Sequence, residues 1–184
     1  MASRLVLASR SPQRRAILEQ LGVDFEVVVP EVEEAAEGEP AALVIENASR
    51  KARAVASGSR TVLGVDTLVA LEGRSLGKPR DEREALRFLT ALSGREHEVH
   101  SGVALVGPEG DHAERATTRV RFRALTRGEL DWYLASGEWH ERAGGYAIQG
   151  RGAALVERID GDPWNVVGLP VSLLIGMAPW VLVS

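Results

Sequence analysis

Leu5, Val6, Leu7 and Ala8 form an unbroken apolar run that breaks directly into Ser9-Arg10-Ser11-Pro12-Gln13-Arg14-Arg15. This junction constrains the fold more than any other stretch, because a strand must end and a helix begin within about three residues. Ser11 suits the N-cap, and Pro12 falls at the first helical position, where its missing N–H is no loss. The N–H groups of that first turn lack intrahelical acceptors, and the helix dipole makes them attractive to an anion such as phosphate. Arg14 and Arg15 add guanidinium forks suited to phosphate oxygens.

Beyond the junction, strand and helix patterns interleave. Helical periodicity covers Ser11 to Leu21, with Gly22 placed to close it, and Phe25 to Val29 reads as the next strand. Pro30 to Gly38 is an acidic loop. Pro40 opens a helix reaching about Ala56, with Leu43, Ala48, Ala52 and Val55 on the apolar stripe and Arg50, Lys51 and Arg53 on the more polar side. Val62 to Ala70 has the pattern of a strand buried on both faces. Asp81 with Glu84 predicts a capping box for a helix ending near Leu92. Val99 to Val106 and Thr117 to Ala124 read as a hairpin joined through Gly107 to Gly110. Thr126 with Glu129 predicts a second capping box, for a helix through about Ser136. Ala153 to Ile159 reads as a further strand, and Pro170 opens a last helix toward Met177. The expected fold is α/β: a single mixed-sheet domain over residues 1–184, with two lobes around a cleft.

Composition narrows the function. A chain of 184 residues with 45% hydrophobic and 26% charged residues is long enough for one domain with a substantial core. A net charge of −4 argues against a nucleic-acid polymer as partner and leaves room for a local basic site that takes a small anion. No apolar stretch approaches the roughly 20 residues of a membrane span, and no secretory core precedes Arg10. Without cysteine there is no disulfide framework, so a cytoplasmic location is expected.

Asp66 lies among Val62, Leu63, Val65, Leu68 and Val69, where a carboxylate is costly unless a cation or donor meets it. It reads equally as a catalytic acid–base group and as a strand-end carboxylate paired with an arginine. Thr67 beside it can contact a ligand or simply favour the strand. Gly77-Lys78-Pro79 is a tight turn able to present an ammonium to a phosphate chain, although a solvated lysine has the same pattern, and Lys51 shares that ambiguity. Glu31, Glu33 and Glu34 can supply oxygen ligands to Mg²⁺, which takes one or two carboxylates plus phosphates and waters. His97 and His100 do not have zinc-ligand spacing. Arg119, Arg121 and Arg123 alternate along one strand face, where cross-strand pairing with Glu96 and Glu98 is expected. In the glycine-rich segment Gly144 to Gly152, the Gln149 amide can contact a base edge bidentately, while Tyr146 can stack or pack. Asp160 to Pro170 reads as a loop and helix start.

Taken in order, Leu7-Ala8-Ser9-Arg10-Ser11-Pro12-Gln13-Arg14-Arg15, Val65-Asp66-Thr67, Gly77-Lys78-Pro79, Ser93-Gly94-Arg95 with His97, Tyr146-Ala147-Ile148-Gln149-Gly150 and Gly161-Asp162 through Gly168-Leu169-Pro170 resemble the Maf family of nucleoside triphosphate pyrophosphatases. The resemblance spans nearly the whole chain. It implies a fold similar to inosine triphosphate pyrophosphatases and a cytoplasmic, often dimeric enzyme that keeps house in the nucleotide pool. It also implies a divalent cation, Mg²⁺ or Mn²⁺, and cleavage of the triphosphate between its α- and β-phosphates. Asp66 matches the family's proton acceptor, and Ser9, Arg14, Glu34, Lys51 and Lys78 match positions around the phosphates and metal, with Glu34 and Asp66 as the metal carboxylates. The Tyr-Ala-Ile-Gln-Gly form resembles the branch acting on dTTP and UTP, or on modified pyrimidine nucleotides. Thr67 and Gln149 match two of its specificity positions, and Gln13 stands at the third, where an arginine is usual. The family association with inhibition of septum formation supplies a second reading, a regulatory binding protein of cell division.

Overall fold

The computed structural model describes residues 5–183. The strand that ends in the basic loop is β1 (Leu5–Ala8), and the helix behind it is α1 (Pro12–Gln20). Ser11 is the N-cap: its Oγ accepts the Arg14 N–H at 3.5 Å. β2 (Phe25–Val28) follows, then α2 (Pro40–Val55), whose N-cap is Glu39. β3 (Thr61–Leu71) turns at Glu72 and Gly73, with φ of 52° and 75°, into the short antiparallel β4 (Arg74–Leu76). Two successive positive φ values match the twist of a tight hairpin. Three residues are too few to show a period, so β4 is invisible to the sequence pattern.

Next come α3 (Glu82–Leu92), β5 (Glu96–Gly107) and β6 (Gly110–Phe122). The chain closes with α4 (Arg127–Leu134), β7 (Val156–Asp160), α5 (Pro163–Val167) and α6 (Val171–Met177). The capping box at Thr126 and Glu129 forms with both bonds in place. The one expected at Asp81 is only half made. Asp81 accepts the Glu84 N–H at 2.7 Å, but the Glu84 carboxylate accepts the Arg80 N–H at 3.0 Å instead of turning back to Asp81. β6 begins seven residues earlier than the apolar pattern places it, because Gly110 to Glu114 is polar and exposed. β7 begins later than expected, since residues 151–155 wind into a 3₁₀ turn.

The seven strands form one mixed sheet in the order β2-β1-β3-β5-β6-β7, with β4 attached to β3. β1 runs parallel to both β2 and β3, and β6 runs antiparallel to β7. The α/β expectation is therefore correct. Arg119 and Arg121 of β6 are paired across strands and Arg123, just beyond β6, pairs with α4, all with other partners than expected. Arg121 reaches Glu157 at 3.3 Å and Arg119 reaches Asp160, both on β7, while Arg123 reaches Glu129 at 2.9 Å. Glu96 instead meets Arg158 at 3.2 Å. The register of β7 against β6 decides this, and a single chain pattern does not contain it.

The chain divides into two compact units. The first holds the described residues up to Thr67, residues 101–116 and those from Gly168 onward. Its core sets Val6, Ala8, Val62 and Ala104 against Ala48 and Ala52 of α2. Two glycines let α2 lie flat on the sheet. A Cβ on Gly64 would sit 2.1 Å from the Ala48 carbonyl oxygen, and one on Gly102 would sit 2.1 Å from that of Val44. No side chain fits there, so strand and helix backbones touch.

The second unit holds residues 68–100 and 117–167. Its core gathers Leu89, Leu92, Phe122, Tyr133, Tyr146 and Leu155. Tyr146 packs edge-on to Phe122 at 4.9 Å and to His97 at 5.5 Å, and its hydroxyl meets His97 Nε2 at 2.9 Å. Of its two possible roles, stacking or packing, Tyr146 therefore packs. His97 is 2% exposed, and burial lowers its pKa to about 4. The unfolded chain takes up that proton near pH 6.5, while the folded chain resists it down to about pH 4. His97 thus supports the fold fully above pH 6.5, and its contribution fades by about 3 kcal/mol as pH falls toward 4. Chemical denaturation of wild type and His97→Gln across this range should show a shallower pH slope in the variant. Equal slopes would contradict the account.

Among the described residues, no helix is long and apolar enough to cross a membrane.

Candidate active site

Residues two apart on a strand share a face. Gly64 and Asp66 of β3 therefore both look toward α2, and the glycine contact brings the helix close to the carboxylate. Lys51 of α2 reaches Asp66 Oδ1 at 2.7 Å, and the same ammonium reaches Glu34 Oε1 at 2.8 Å. Lys51 is 7% exposed and Asp66 5%. Lys51 thus lies on the sheet side of α2, not on the polar side where the sequence reading placed it. Its ammonium is the counter-charge that a buried Asp66 requires; the alternative of an arginine partner is not what forms.

Asn47, one helical turn before Lys51, completes the arrangement. Its Nδ2 donates to Asp66 Oδ2 at 3.3 Å and to the Ala35 carbonyl at 3.1 Å, while its Oδ1 accepts the Ala35 N–H at 2.8 Å. The amide therefore clamps the acidic loop beside Glu34. Sequence reading missed Asn47, yet a signal exists: Asn47 and Lys51 are polar residues four apart on the apolar stripe of α2. Of the three loop glutamates, Glu34 reaches Lys51, whereas the Glu31 and Glu33 side chains are exposed.

A second cluster forms around Arg14, which is 9% exposed. Its Nε donates to the Gly168 carbonyl at 2.8 Å, Nη1 to Ser9 Oγ at 3.2 Å and Nη2 to Thr67 Oγ1 at 3.1 Å. Thr67 Oγ1 also lies 2.8 Å from Ser101 Oγ. Burial lowers the Arg14 pKa, while the Asp66 and Glu34 carboxylates push the other way and favour the cation. Ser9 Oγ further accepts the Ser11 N–H at 3.2 Å, so part of the helix entrance is closed by its own loop. Gln13 is half-buried, and its amide oxygen accepts from Ser11 Oγ at 3.0 Å. Arg15 does not join this cluster: it is exposed and pairs with Glu19 along α1 at 2.7 Å. Ser101, fully buried, is another residue missed from the sequence, because a lone serine in an apolar strand carries no pattern.

Ser9, Gln13, Arg14, Glu34, Lys51, Asp66 and Thr67 all belong to the first unit, whereas Lys78 and Gln149 belong to the second. Lys78 is exposed and contacts Glu141 at 2.6 Å. Gln149 is exposed on the turn after Tyr146. That turn is tied down by the Ala147 N–H, which donates to the Tyr133 hydroxyl at 2.9 Å. Asp162 caps the start of α5 through the Trp164 N–H at 2.8 Å, as a loop and helix start should. Glu34 and Asp66 are two carboxylates that converge on the Lys51 ammonium, and among the described residues no group of three or more His, Cys, Asp or Glu side chains is placed to hold a metal ion.

The site thus sets a lysine-bridged carboxylate pair and a buried, hydrogen-bonded arginine at a helix entrance of an α/β sheet. The chain belongs to the Maf family, whose model, described as Maf-like protein, matches residues 4–179. The chain is similar to a dTTP/UTP pyrophosphatase of Deinococcus radiodurans, 48% identical over 95% of this chain and 91% of the relative. It is also similar to dTTP/UTP pyrophosphatases of Symbiobacterium thermophilum, 48% identical over 94% and 91% of the two chains, and of Moorella thermoacetica, 50% identical over 92% and 90%. A solved structure of the Staphylococcus aureus Ham1 protein aligns at 18% identity and a TM-score of 0.43, covering 64% of this chain and 71% of that one.

Proposed function

We infer that this chain hydrolyses nucleoside triphosphates, dTTP and UTP among them, to the nucleoside monophosphate and pyrophosphate. The observation that carries the reading is the buried Lys51 ammonium shared by Asp66 and Glu34, in a chain 48% identical to a dTTP/UTP pyrophosphatase over 95% of its length. Phosphoryl chemistry asks the protein mainly for positioning and charge stabilisation. Arg14, held by three oxygens, presents its remaining N–H donors to phosphate oxygens. Lys51 adds a second cation where negative charge accumulates. Asp66 orients a water molecule and takes its proton as the water oxygen joins one phosphorus and the bridging oxygen leaves with the other. A divalent cation held by Glu34 and Asp66 would neutralise phosphate charge and acidify the water. Lys78 and Gln149 keep, as proposals, their implied parts in binding phosphate and selecting the base.

Incubating the protein with a panel of nucleoside triphosphates and Mg²⁺ or Mn²⁺, and separating pyrophosphate from orthophosphate, tests the reading. Pyrophosphate should appear with one equivalent of monophosphate, most rapidly from dTTP and UTP. Orthophosphate as the first product would contradict it.

A further inference from the structure

We propose that Glu138 is a positioning residue for base selection: its carboxylate pins the turn that carries Gln149 and so sets where the Gln149 amide meets the base. The inference rests on the reading above that gives Gln149 a part in selecting the base, and it adds a residue that the reading does not contain.

Gln149 is exposed, yet the turn around it is fixed on both sides. Before it, the Ala147 N–H donates to the Tyr133 hydroxyl at 2.9 Å. After it, the Arg151 N–H donates to Glu138 Oε2 at 2.7 Å. Between these two anchors the Gly150 N–H closes the turn on the Ala147 carbonyl at 3.1 Å. The carboxylate lies directly against the main chain here: a Cβ on Gly150 would stand 2.3 Å from Glu138 Oε2 and 2.8 Å from Oε1. The φ of Gly150 is −113°, outside the left-handed region, so this glycine serves to admit the carboxylate. Glu138 is itself well held. Its N–H donates to Ser136 Oγ at 3.1 Å, and the neighbouring Trp139, 5% exposed, donates its indole N–H to the Leu134 carbonyl at 3.2 Å. The carboxylate therefore ties the turn to the end of α4 and to the core of the second unit. An amide that meets a base through its donor and its acceptor together tolerates a misplacement of only about 0.5 Å. Without Glu138 the turn loses its anchor on the Arg151 side, and the amide loses its fixed place.

The ratio of kcat/KM for dTTP to that for dATP reads the placement of the amide, whereas inorganic pyrophosphate, which has no base, reads the phosphate contacts alone. In Glu138→Ala the ratio should fall about tenfold, the usual scale for a lost hydrogen bond to a charged group, while pyrophosphate with Mg²⁺ binds as to wild type. A merely structural role would lower both kcat/KM values alike and leave their ratio unmoved. Glu138→Gln should recover most of the ratio, because its amide oxygen can accept the same Arg151 N–H. Gly150→Ala should behave like Glu138→Ala, since the added methyl displaces the carboxylate, and it decides by the same ratio should Glu138→Ala fail to fold. A ratio unchanged in Glu138→Ala and Gly150→Ala but lowered in Gln149→Ala would overturn the proposal and leave Gln149 as a base reader. Pyrophosphate affinity lost in step with the ratio in Glu138→Ala would overturn it as well. A ratio unchanged in Gln149→Ala, or a wild type that cleaves neither nucleotide, would instead remove the underlying reading and the proposal with it.

Discussion

Asp66→Asn is expected to keep nucleotide affinity near the wild-type level while kcat falls about a thousandfold, the middle of the range for losing a positioned general base. The substitution preserves shape. Its amide oxygen can still accept from Lys51, which donates to Asp66 Oδ1 at 2.7 Å in the wild type. The other side of the amide then faces Asn47 Nδ2, where Asp66 Oδ2 accepts at 3.3 Å. Asn47 cannot flip to compensate, because Ala35 holds both ends of its amide at 2.8 and 3.1 Å. A stability loss of about 1 kcal/mol from this donor–donor meeting is therefore expected alongside the loss of turnover. Pyrophosphate release and calorimetric nucleotide binding on the same preparation separate the two effects. Turnover near the wild-type rate would remove Asp66 from the proton-transfer role.

Lys51→Met should have the largest effect on the fold itself. Methionine fills the space but removes the ammonium from between Asp66 and Glu34. Glu34 is half in solvent and can rehydrate, whereas Asp66 is 5% exposed and cannot. Removing one partner of a buried pair costs about 3–5 kcal/mol, and the hydrated glutamate places this case near the lower end. Urea unfolding should show a lower midpoint with little change in slope, and hydrolysis should be lost. A midpoint equal to wild type would mean that Asp66 finds another partner. If Glu34 and Asp66 hold a divalent cation, millimolar Mg²⁺ should restore part of the lost stability in this variant.

The helix entrance could be read from sequence because its signals are local. Ser11 and Pro12 act within one turn of the residues that they organise, and α1 starts where they predict. Asp66 stood out for a related reason, since a carboxylate inside an apolar run needs a partner wherever it lies. Which partner it finds is not local. The sequence pattern puts Lys51 on the wrong side of α2, because a lysine on a helix normally seeks water. Only the glycine contacts of β3 and β5 with α2, which depend on sheet order, turn that position inward. Thr67 and Ser101 come within 2.8 Å of each other although 34 residues separate them, and no periodicity carries that pairing. The arginine ladder of β6 shows the same limit: its charges demand partners, but strand register chooses them.

The bare contact of Gly64 and Gly102 with α2 makes the place of Lys51 a property of main chain more than of side chain. Packing between interchangeable apolar groups lets a helix drift as those groups vary. A helix seated on peptide backbone has a hard stop. One added methyl group at either glycine would lift helix, lysine and Asn47 together. The chemistry of the site is thereby tied to two positions that carry no functional group at all.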